Sequence, residues 1–222
     1  MSFFDDNRRV GLALIVIGII DIIATLALIV VLYYYIPADL AVDFITSAAI
    51  STVGTAIFGI LIILFGKNVR KGPNDKVAIL SGLFRVLGIA AILTGLCSAI
   101  SNVMLTGSGT AIVTSAIGII TGLIYLWVSF KIAGGNKNVI GQILWVILLI
   151  FSLISILGSI AGFLTILLEG LLILFGVSLL SGIGILFGVS LLFGINSVCM
   201  LFVYAYVFTA LLSPEVKKSM GV

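Results

Sequence analysis

The run VGLALIVIGIIDIIATLALIVVLYYYI, from Val10 to Ile36, decides the fold class of this chain. Its 27 residues contain no proline and one charged side chain, Asp21. A helix rises about 1.5 Å per residue, so about 20 apolar residues cross the bilayer core, which is about 30 Å thick. The run therefore predicts a transmembrane helix. It is also too long for the apolar region of a cleavable signal peptide.

The composition of the whole chain extends this prediction. Of its 222 residues, 62% are hydrophobic and 9% are charged, and the mean hydropathy is +1.44. A soluble domain is about half apolar and about one quarter charged. We therefore predict an all-α, polytopic integral membrane bundle that forms a single transmembrane domain over residues 1–222. The lipid bilayer is its first expected partner, and nucleic acid is not expected to be one.

Four apolar runs are separated by short polar links, and a longer apolar stretch follows at residues 139–213. Because backbone groups in lipid must be satisfied within the segment, each run predicts a helix. We expect successive helical hairpins, and the sixth helix is either transmembrane or re-entrant. The predicted helices cover approximately residues 10–36, 44–65, 77–105, 111–130, 139–160, 163–181 and 185–212.

The number of crossings depends on the last third of the chain. Residues 139–213 carry one charge, Glu169, and are too long for two ordinary crossings. Seven crossings, with turns near 158–162 and 181–184, fit the length but place the C-terminal lysines outside. Six crossings with an overlong last helix fit the charges, and six with a re-entrant segment at about 161–182 fit both. We favour seven, because length is the harder constraint.

Basic residues predict the orientation. Arg8 and Arg9 precede the first helix, and the links at 66–76 and 131–138 are basic, whereas the first and third links have no Lys or Arg. The N-terminus is therefore expected in the cytoplasm. Without a targeting presequence, the expected location is a prokaryotic cell (cytoplasmic) membrane. A near-exact tandem repeat over residues 173–196 is interpreted as a duplication in a lipid-facing helix, without chemistry.

Three charged residues lie inside the apolar runs: Asp21, Arg85 and Glu169. A charge near the bilayer centre costs at least about 3 kcal/mol, so such residues are usually kept for a partner or a function. Asp21 and Arg85 lie at similar predicted depths on parallel helices. We predict an ion pair, which is either a structural clamp or a substrate, ion or proton site.

Two alternatives stay open for these charges. Arg85 could extend to the cytoplasmic surface and leave Asp21 alone as a proton-carrying group. Glu169 is a conditional member of the site: it is an exposed outer acid if the chain turns near it, and it lies near mid-membrane if the segment is re-entrant.

Hydroxyl and amide side chains gather at the predicted outer ends of helices two, three and four. They could line an outward-facing polar cleft for a small solute. The alternative is that they hydrogen-bond between packed helices, as Ser and Thr commonly do in membranes. The candidate cleft residues are Ser47, Ser51, Thr55, Thr94, Ser98, Asn102, Thr114 and Thr121.

No motif of an enzyme is present in the sequence. Histidine is absent, which excludes His-ligated metal sites and Ser-His or Cys-His catalytic pairs. The sequence contains no HExxH, GxSxG or CxxC motif. Cys97 and Cys199 are interpreted as small packing residues. We expect no enzymatic activity, no catalytic residues, no cofactor and no metal.

Three functions fit these observations. The favoured one is a non-catalytic subunit, or an assembly or stability factor, of a larger membrane protein complex, with other membrane subunits or a second copy as partners. The alternative is a small-solute transporter, or the substrate-binding membrane component of one, with a site near Asp21 and Arg85. A self-associating membrane scaffold is the third.

Overall fold

The computed structural model describes residues 3–35, 38–106, 110–135, 138–176 and 182–222. Every regular element in these ranges is helical, which confirms the predicted all-helical bundle. A short 3₁₀ turn, Phe3–Asp5, precedes the helices. They are α1 (Asn7–Tyr35), α2 (Ala38–Lys71), α3 (Lys76–Thr106), α4 (Thr110–Ala133), α5 (Val139–Gly176), α6 (Gly182–Leu211) and α7 (Pro214–Ser219).

Within the described ranges, six helices are long and apolar enough to cross a membrane. Their candidate spans are Asn7–Val30, Thr52–Lys71, Lys76–Ser101, Ser115–Ala133, Val139–Thr165 and Gly194–Leu211. The seventh helix, α7, is amphipathic in composition and has six residues, so it cannot span. Because the number of these spans is even, the free end of the first span and the free end of the last span lie at the same end of the bundle.

Small residues pack α1 against α2 along a seven-residue repeat. A Cβ atom added at Gly11 would lie 2.6 Å from the carbonyl oxygen of Gly66, and one added at Gly18 would lie 2.5 Å from that of Gly59. Thr25 and Thr52 are buried one further repeat along. The residue numbers rise on one helix as they fall on the other, so the pair is antiparallel and its backbones are in close contact.

The second helical hairpin, α3–α4, is also packed through small residues spaced seven positions apart. The Ser81 hydroxyl donates to the carbonyl oxygen of Ser129 at 3.0 Å. Seven residues further, a Cβ atom at Gly88 would lie 2.8 Å from the carbonyl oxygen of Gly122. Gly95 is next, and a Cβ atom there would lie 3.0 Å from the Ser115 carbonyl oxygen.

The two hairpins pack side by side through α2 and α3. A Cβ atom at Gly54 would lie 2.7 Å from Cα of Thr94, and one at Gly82 would meet the ring of Phe65. Helix α6 packs against α1, and α5 packs mainly against α6. Five helices thus surround the centre of the bundle, and α5 lies on its outside, where Phe151 links Tyr125 of α4 to Tyr204 of α6 through ring contacts at 6.1 Å.

The two termini are fastened to one end of the bundle. Phe4 packs against Phe202 and Tyr206 of α6, at ring-centroid distances of 5.4 and 5.9 Å. Asp5 forms an ion pair with Lys76 at 2.7 Å. At the other terminus, the Gln142 side chain donates to the Gly221 carbonyl at 2.6 Å.

The structure corrects two boundaries of the sequence analysis. The turn predicted near 158–162 is wrong, because α5 is continuous through these residues; the re-entrant segment predicted from 161 is wrong for the same reason. The predicted turn at 181–184 lies partly outside the described residues. The polar link predicted at 66–76 is reduced to 72–75, because α2 continues to Lys71.

Local chemistry explains the short link between α2 and α3. Gly66 is needed inside α2, where it packs against Gly11. The sequence Gly72-Pro73 then ends the helix, as this pair commonly does. Asp75 begins α3 as its N-cap, since its Oδ1 accepts hydrogen bonds from the backbone N–H groups of Val77 and Ala78 at 2.9 and 3.0 Å.

Candidate functional site

A cavity of about 390 Å³ lies at the centre of the bundle, between α1, α2, α3, α4 and α6. Its walls carry both apolar and polar side chains. A volume in this range is typical of sites for small organic molecules. The polar lining side chains are Asp21, Thr55, Thr94, Ser98, Ser115, Thr121, Tyr125, Asn196 and Tyr204.

Asp21 is placed in this cavity by the packed face of α1. It lies fourteen residues from each end of the helix, which puts it about 21 Å along the axis from either end. Gly18 and Thr25, one turn away on each side, face α2 and are buried. Asp21 shares that inward direction, since residues three and four apart lie on one face of a helix.

The Asp21 carboxylate is buried without a partner at one oxygen. The residue is 5% exposed, and its Oδ2 atom makes no hydrogen bond in the described part of the structure. This atom lies 3.2 Å from the position that a Cβ atom on Gly59 would occupy. A buried carboxylate without donors is costly to maintain, because the protein does not replace the hydrogen bonds of water.

Four of the eight hydroxyl and amide residues predicted for a polar cleft line the same cavity as Asp21. They are Thr55 of α2, Thr94 and Ser98 of α3, and Thr121 of α4. Thr94 and Ser98 are four residues apart and continue the lining face of Leu87 and Ala91. Thr121 uses its hydroxyl to bond the carbonyl oxygen of Ile117 at 2.8 Å.

The other predicted members are not all placed. The side chains of Ser47, Ser51, Asn102, Thr114 and Glu169 lie outside the described residues. The backbone of Glu169 belongs to α5 and is continuous with the helix on both sides. The backbone does not turn at Glu169, so the interpretation of this residue as part of an outer turn is wrong.

The structure does not bring Arg85 to the site. Arg85 is exposed on the outer face of α3, and its guanidinium carbon lies 5.6 Å from the ring centroid of Phe130 on α4. No salt bridge joins it to Asp21, although both residues are described. The predicted ion pair is therefore absent, and the alternative in which Asp21 is left alone agrees with the structure.

Three lining residues were not identified in the sequence analysis as members of the site: Tyr125, Asn196 and Tyr204. Tyr125 of α4 and Tyr204 of α6 both contact the ring of Phe151, at centroid distances of 6.1 Å. Asn196 carried a usable signal, because it is an amide directly after an apolar repeat. The tyrosines carried no such signal, since tyrosine in a membrane helix is usually interpreted as an anchor at the membrane–water interface.

A second, apolar cleft adjoins the cavity. It has a volume of about 420 Å³ and lies between α4 and α5. Thr121 and Tyr125 line both spaces. The remaining lining of the cleft is apolar, including Ile124, Leu144 and Phe151. The α4 wall of the cavity therefore separates it from an apolar cleft and not from a second layer of polar groups.

Comparison with protein-family models, with curated proteins and with solved structures finds no match to this chain.

Proposed function

We propose that this chain is a small-solute transporter, or the substrate-binding membrane component of one, and that its solute site is the Asp21 cavity. One observation carries the proposal: a buried carboxylate with a partnerless oxygen lines a cavity of ligand size at the middle of the bundle. Intramembrane ionisable residues in bundle interiors commonly mark substrate or ion pathways.

The competing explanation for Asp21, a structural clamp, requires a partner. Buried ion pairs and buried hydrogen bonds stabilise a fold only when both sides are present. Here Arg85 lies on the opposite face of α3, against Phe130, and Oδ2 of Asp21 has no donor among the described residues. A clamp role gives Asp21 no partner among the described residues, whereas a binding role uses its carboxylate as a charged part of the cavity wall.

The proposal also assigns the orientation of the bundle in the membrane. The basic residues in the terminal turns of these helices lie at one end of the bundle: Arg8 and Arg9 in the first turn of α1, Arg70 and Lys71 in the last turn of α2, and Lys131 in the last turn of α4. We assign this end, with both termini, to the cytoplasm. Asp21 then lies near the midplane of a cell membrane, and the hydroxyl residues Thr94 and Ser98 lie towards the outside.

The second candidate function is the non-catalytic subunit, or the assembly or stability factor. The exposed surface of α5 favours it. In the span Val139–Thr165, 17% of the residues are buried, compared with 44% for the α3 span. An outer apolar helix of this kind can contact another membrane subunit, a second copy of the chain or lipid. The scaffold function and the absence of enzymatic activity stay predictions.

A binding experiment tests the proposal without assuming the charge of the solute. The purified chain is heated in mild detergent with a set of small amines, acids, sugars and neutral compounds. Binding to the native state raises the melting temperature. At least one compound is expected to raise it for the wild type and not for Ala91→Phe, which fills the cavity wall. Ile89→Phe is the matched control, because Ile89 lies on the outer face of the same helix.

Two results contradict the proposed function. One is that no compound raises the melting temperature. The other is that Ala91→Phe and the wild type respond equally. Co-purification of larger subunits in fixed ratio, with no response to any solute, favours the second candidate instead.

A further inference from the structure

We infer that the solute is a small organic ammonium ion with an apolar body, whose charged end binds Asp21 and whose body lies against the aromatic and aliphatic walls of the cavity. This inference rests on the proposed solute site and adds its chemical class. It uses the charge, size and wall chemistry of the cavity.

The described lining of the cavity contains one carboxyl side chain, Asp21, and no Lys or Arg. The other polar walls are hydroxyl groups and one amide, which cannot neutralise a carboxylate. An anionic solute would face this carboxylate without a compensating cation, at a depth where charges interact strongly. A cation supplies both the opposite charge and N–H donors for the Asp21 carboxylate, which forms part of the cavity wall.

The basic side chains of the lining helices α3 and α4 have contacts elsewhere. Arg85 lies against Phe130 on the outside of the bundle. Lys76 is bound to Asp5 at the end of α3, and Lys131 lies over the ring of Trp127 at 5.8 Å. None of the three lines the cavity. The site is therefore open to a cation that comes from solution.

The donor set separates an organic cation from a metal ion. Divalent cations such as Ca²⁺ and Mg²⁺ prefer six or more oxygen ligands and usually more than one carboxylate. The described residues contain no group of three or more His, Cys, Asp or Glu side chains that could hold a metal. A cavity of about 390 Å³ also exceeds the space that one ion requires, and it suits a molecule with a body.

The walls suit the body of such a molecule. Tyr125 and Tyr204 provide aromatic rings, and aromatic faces attract ammonium groups. Phe58, Leu87 and Met200 provide apolar surface on three different helices. Organic ammonium ions with an apolar body match this combination of one carboxylate, aromatic rings and aliphatic walls.

The test uses sets of probes that differ only in charge. Each set has one carbon skeleton that ends in an ammonium, a hydroxyl or a carboxylate group. Butyl, cyclohexylmethyl and 2-phenylethyl skeletons cover three sizes. Melting temperatures of the purified wild type, Asp21→Asn and Asp6→Asn are measured with each probe. Asp6→Asn is the matched control, because it removes a carboxylate at the exposed end of α1, where Asp6 pairs with Arg9.

The expected result is specific to charge and to one residue. At least one ammonium probe raises the melting temperature of the wild type by several degrees, and the matching alcohol and carboxylate do not. Asp21→Asn binds that ammonium probe at least tenfold more weakly, whereas Asp6→Asn binds it like the wild type.

Two outcomes overturn the inference. If alcohols or carboxylates bind as well as ammonium probes, or if Asp21→Asn binds the ammonium probe like the wild type, the solute is not an ammonium ion, although the cavity is still a solute site. If no probe binds, the ammonium class is also rejected. The broader solute set with Ala91→Phe then decides separately whether the cavity binds any solute.

Discussion

Asp21 and Arg85 differ in which face of their helices they occupy, and this difference decides their roles. Arg85 and Thr94 are nine residues apart, which is about 180° around a helix of 3.6 residues per turn. Thr94 lines the cavity, so Arg85 must lie on the outside. The nine-residue spacing of Arg85 and Thr94 can be read from the sequence alone. The ion pair was predicted only from the depths of Asp21 and Arg85 along their helices, and depth does not determine which face of a helix a residue occupies.

Neutralising Asp21 is expected to stabilise the fold while it weakens solute binding. In Asp21→Asn the shape is kept and the cost of burying a partnerless charge is removed. We expect the free energy of unfolding to rise by about 1–2 kcal/mol in the absence of solute. Thermal unfolding of the purified variants measures this change. A loss of stability of similar size would instead indicate that Asp21 holds a structural contact.

Arg85 and Asp21 are expected to act independently. Because no contact joins them, the stability changes of Asp21→Asn and Arg85→Gln should add to within about 0.5 kcal/mol in the double variant. By contrast, Arg85→Gln and Phe130→Leu should show a coupling of about 0.5–1 kcal/mol, because the guanidinium lies over the Phe130 ring. The opposite result would be a charge-swapped chain, Asp21→Arg with Arg85→Asp, that is more stable than either single variant. That result would show that the two residues do form an ion pair.

At the scale of elements, glycine sets how closely the hairpins pack. Gly18 and Gly59 lie where any side chain would meet the backbone of the neighbouring helix, whereas Gly158 in α5 has nothing within 4 Å. All three residues belong to long apolar helices. Contact, and not composition, therefore distinguishes a required glycine from a replaceable one.

Alanine substitutions test this distinction directly. Gly18→Ala places a Cβ atom 2.5 Å from the Gly59 carbonyl oxygen, and the resulting overpacking should cost about 1–3 kcal/mol of stability. Gly158→Ala is the matched control and should be neutral, or stabilising by up to about 1 kcal/mol, since alanine favours the helix. Unfolding in denaturing detergent compares the two variants. Equal effects at both positions would contradict the close packing of α1 on α2.

The bounds of most helices could be predicted closely, but the turns within a long apolar run could not. The apolar runs located α1, α3, α4 and α6 to within about three residues, since length and hydropathy determine a span. The predicted turn at 158–162 depended on the length of the run and on Gly158 and Gly162. A helix in an apolar solvent tolerates glycine, because leaving the helix would expose backbone groups that lipid cannot bond. Helix α5 therefore continues through both glycines.

The short helix α7 was not predicted, although its signals are local. Ser213 is the N-cap, Pro214 occupies the first turn, and Lys217 and Lys218 lie in the last turn. This order is typical of a helix start and end. The apolar search could not detect it, because α7 has only six residues and few apolar ones.

At the scale of the whole molecule, the six helices of the described residues that are long and apolar enough to span a membrane place both termini at one end. Trp145 of α5 donates to the carbonyl oxygen of Leu211 at 2.8 Å, and Lys217 lies over the Trp145 ring at 5.6 Å. These contacts fix the C-terminal segment beside the beginning of α5. The two C-terminal lysines then join the basic end, which removes the conflict between length and charge that favoured seven crossings.

Reporter fusions test this arrangement in cells. A reporter that is active only in the cytoplasm, fused to the N-terminus in one chain and to the C-terminus in another, is expected to be active in both. A fusion in the α1–α2 link at 36–37 is expected to be inactive and serves as the control. Activity at only one terminus would require an odd number of crossings and would contradict the six-helix arrangement.

The site followed from the sequence only in part. Asp21 and the hydroxyl residues Thr55, Thr94, Ser98 and Thr121 could be identified from their chemistry, because polar groups are rare in apolar helices. Their assembly in one cavity depends on how five helices are arranged around a centre. That arrangement is set by glycine contacts such as Gly18 with Gly59, which a single sequence does not pair.

The most direct measurement is the reactivity of a cysteine placed in the cavity. In a chain that carries Cys97→Ala and Cys199→Ala, Ser98→Cys is treated with cationic and anionic methanethiosulfonate reagents of similar size. Leu96→Cys, on the outer face of the same helix, is the control. We expect Ser98→Cys to react from water and Leu96→Cys, on the outer face, not to react. We also expect the cationic reagent to react about tenfold faster with Ser98→Cys, a preference that Asp21→Asn removes. If a folded Ser98→Cys chain reacts with neither reagent, the cavity is not a water-accessible solute site.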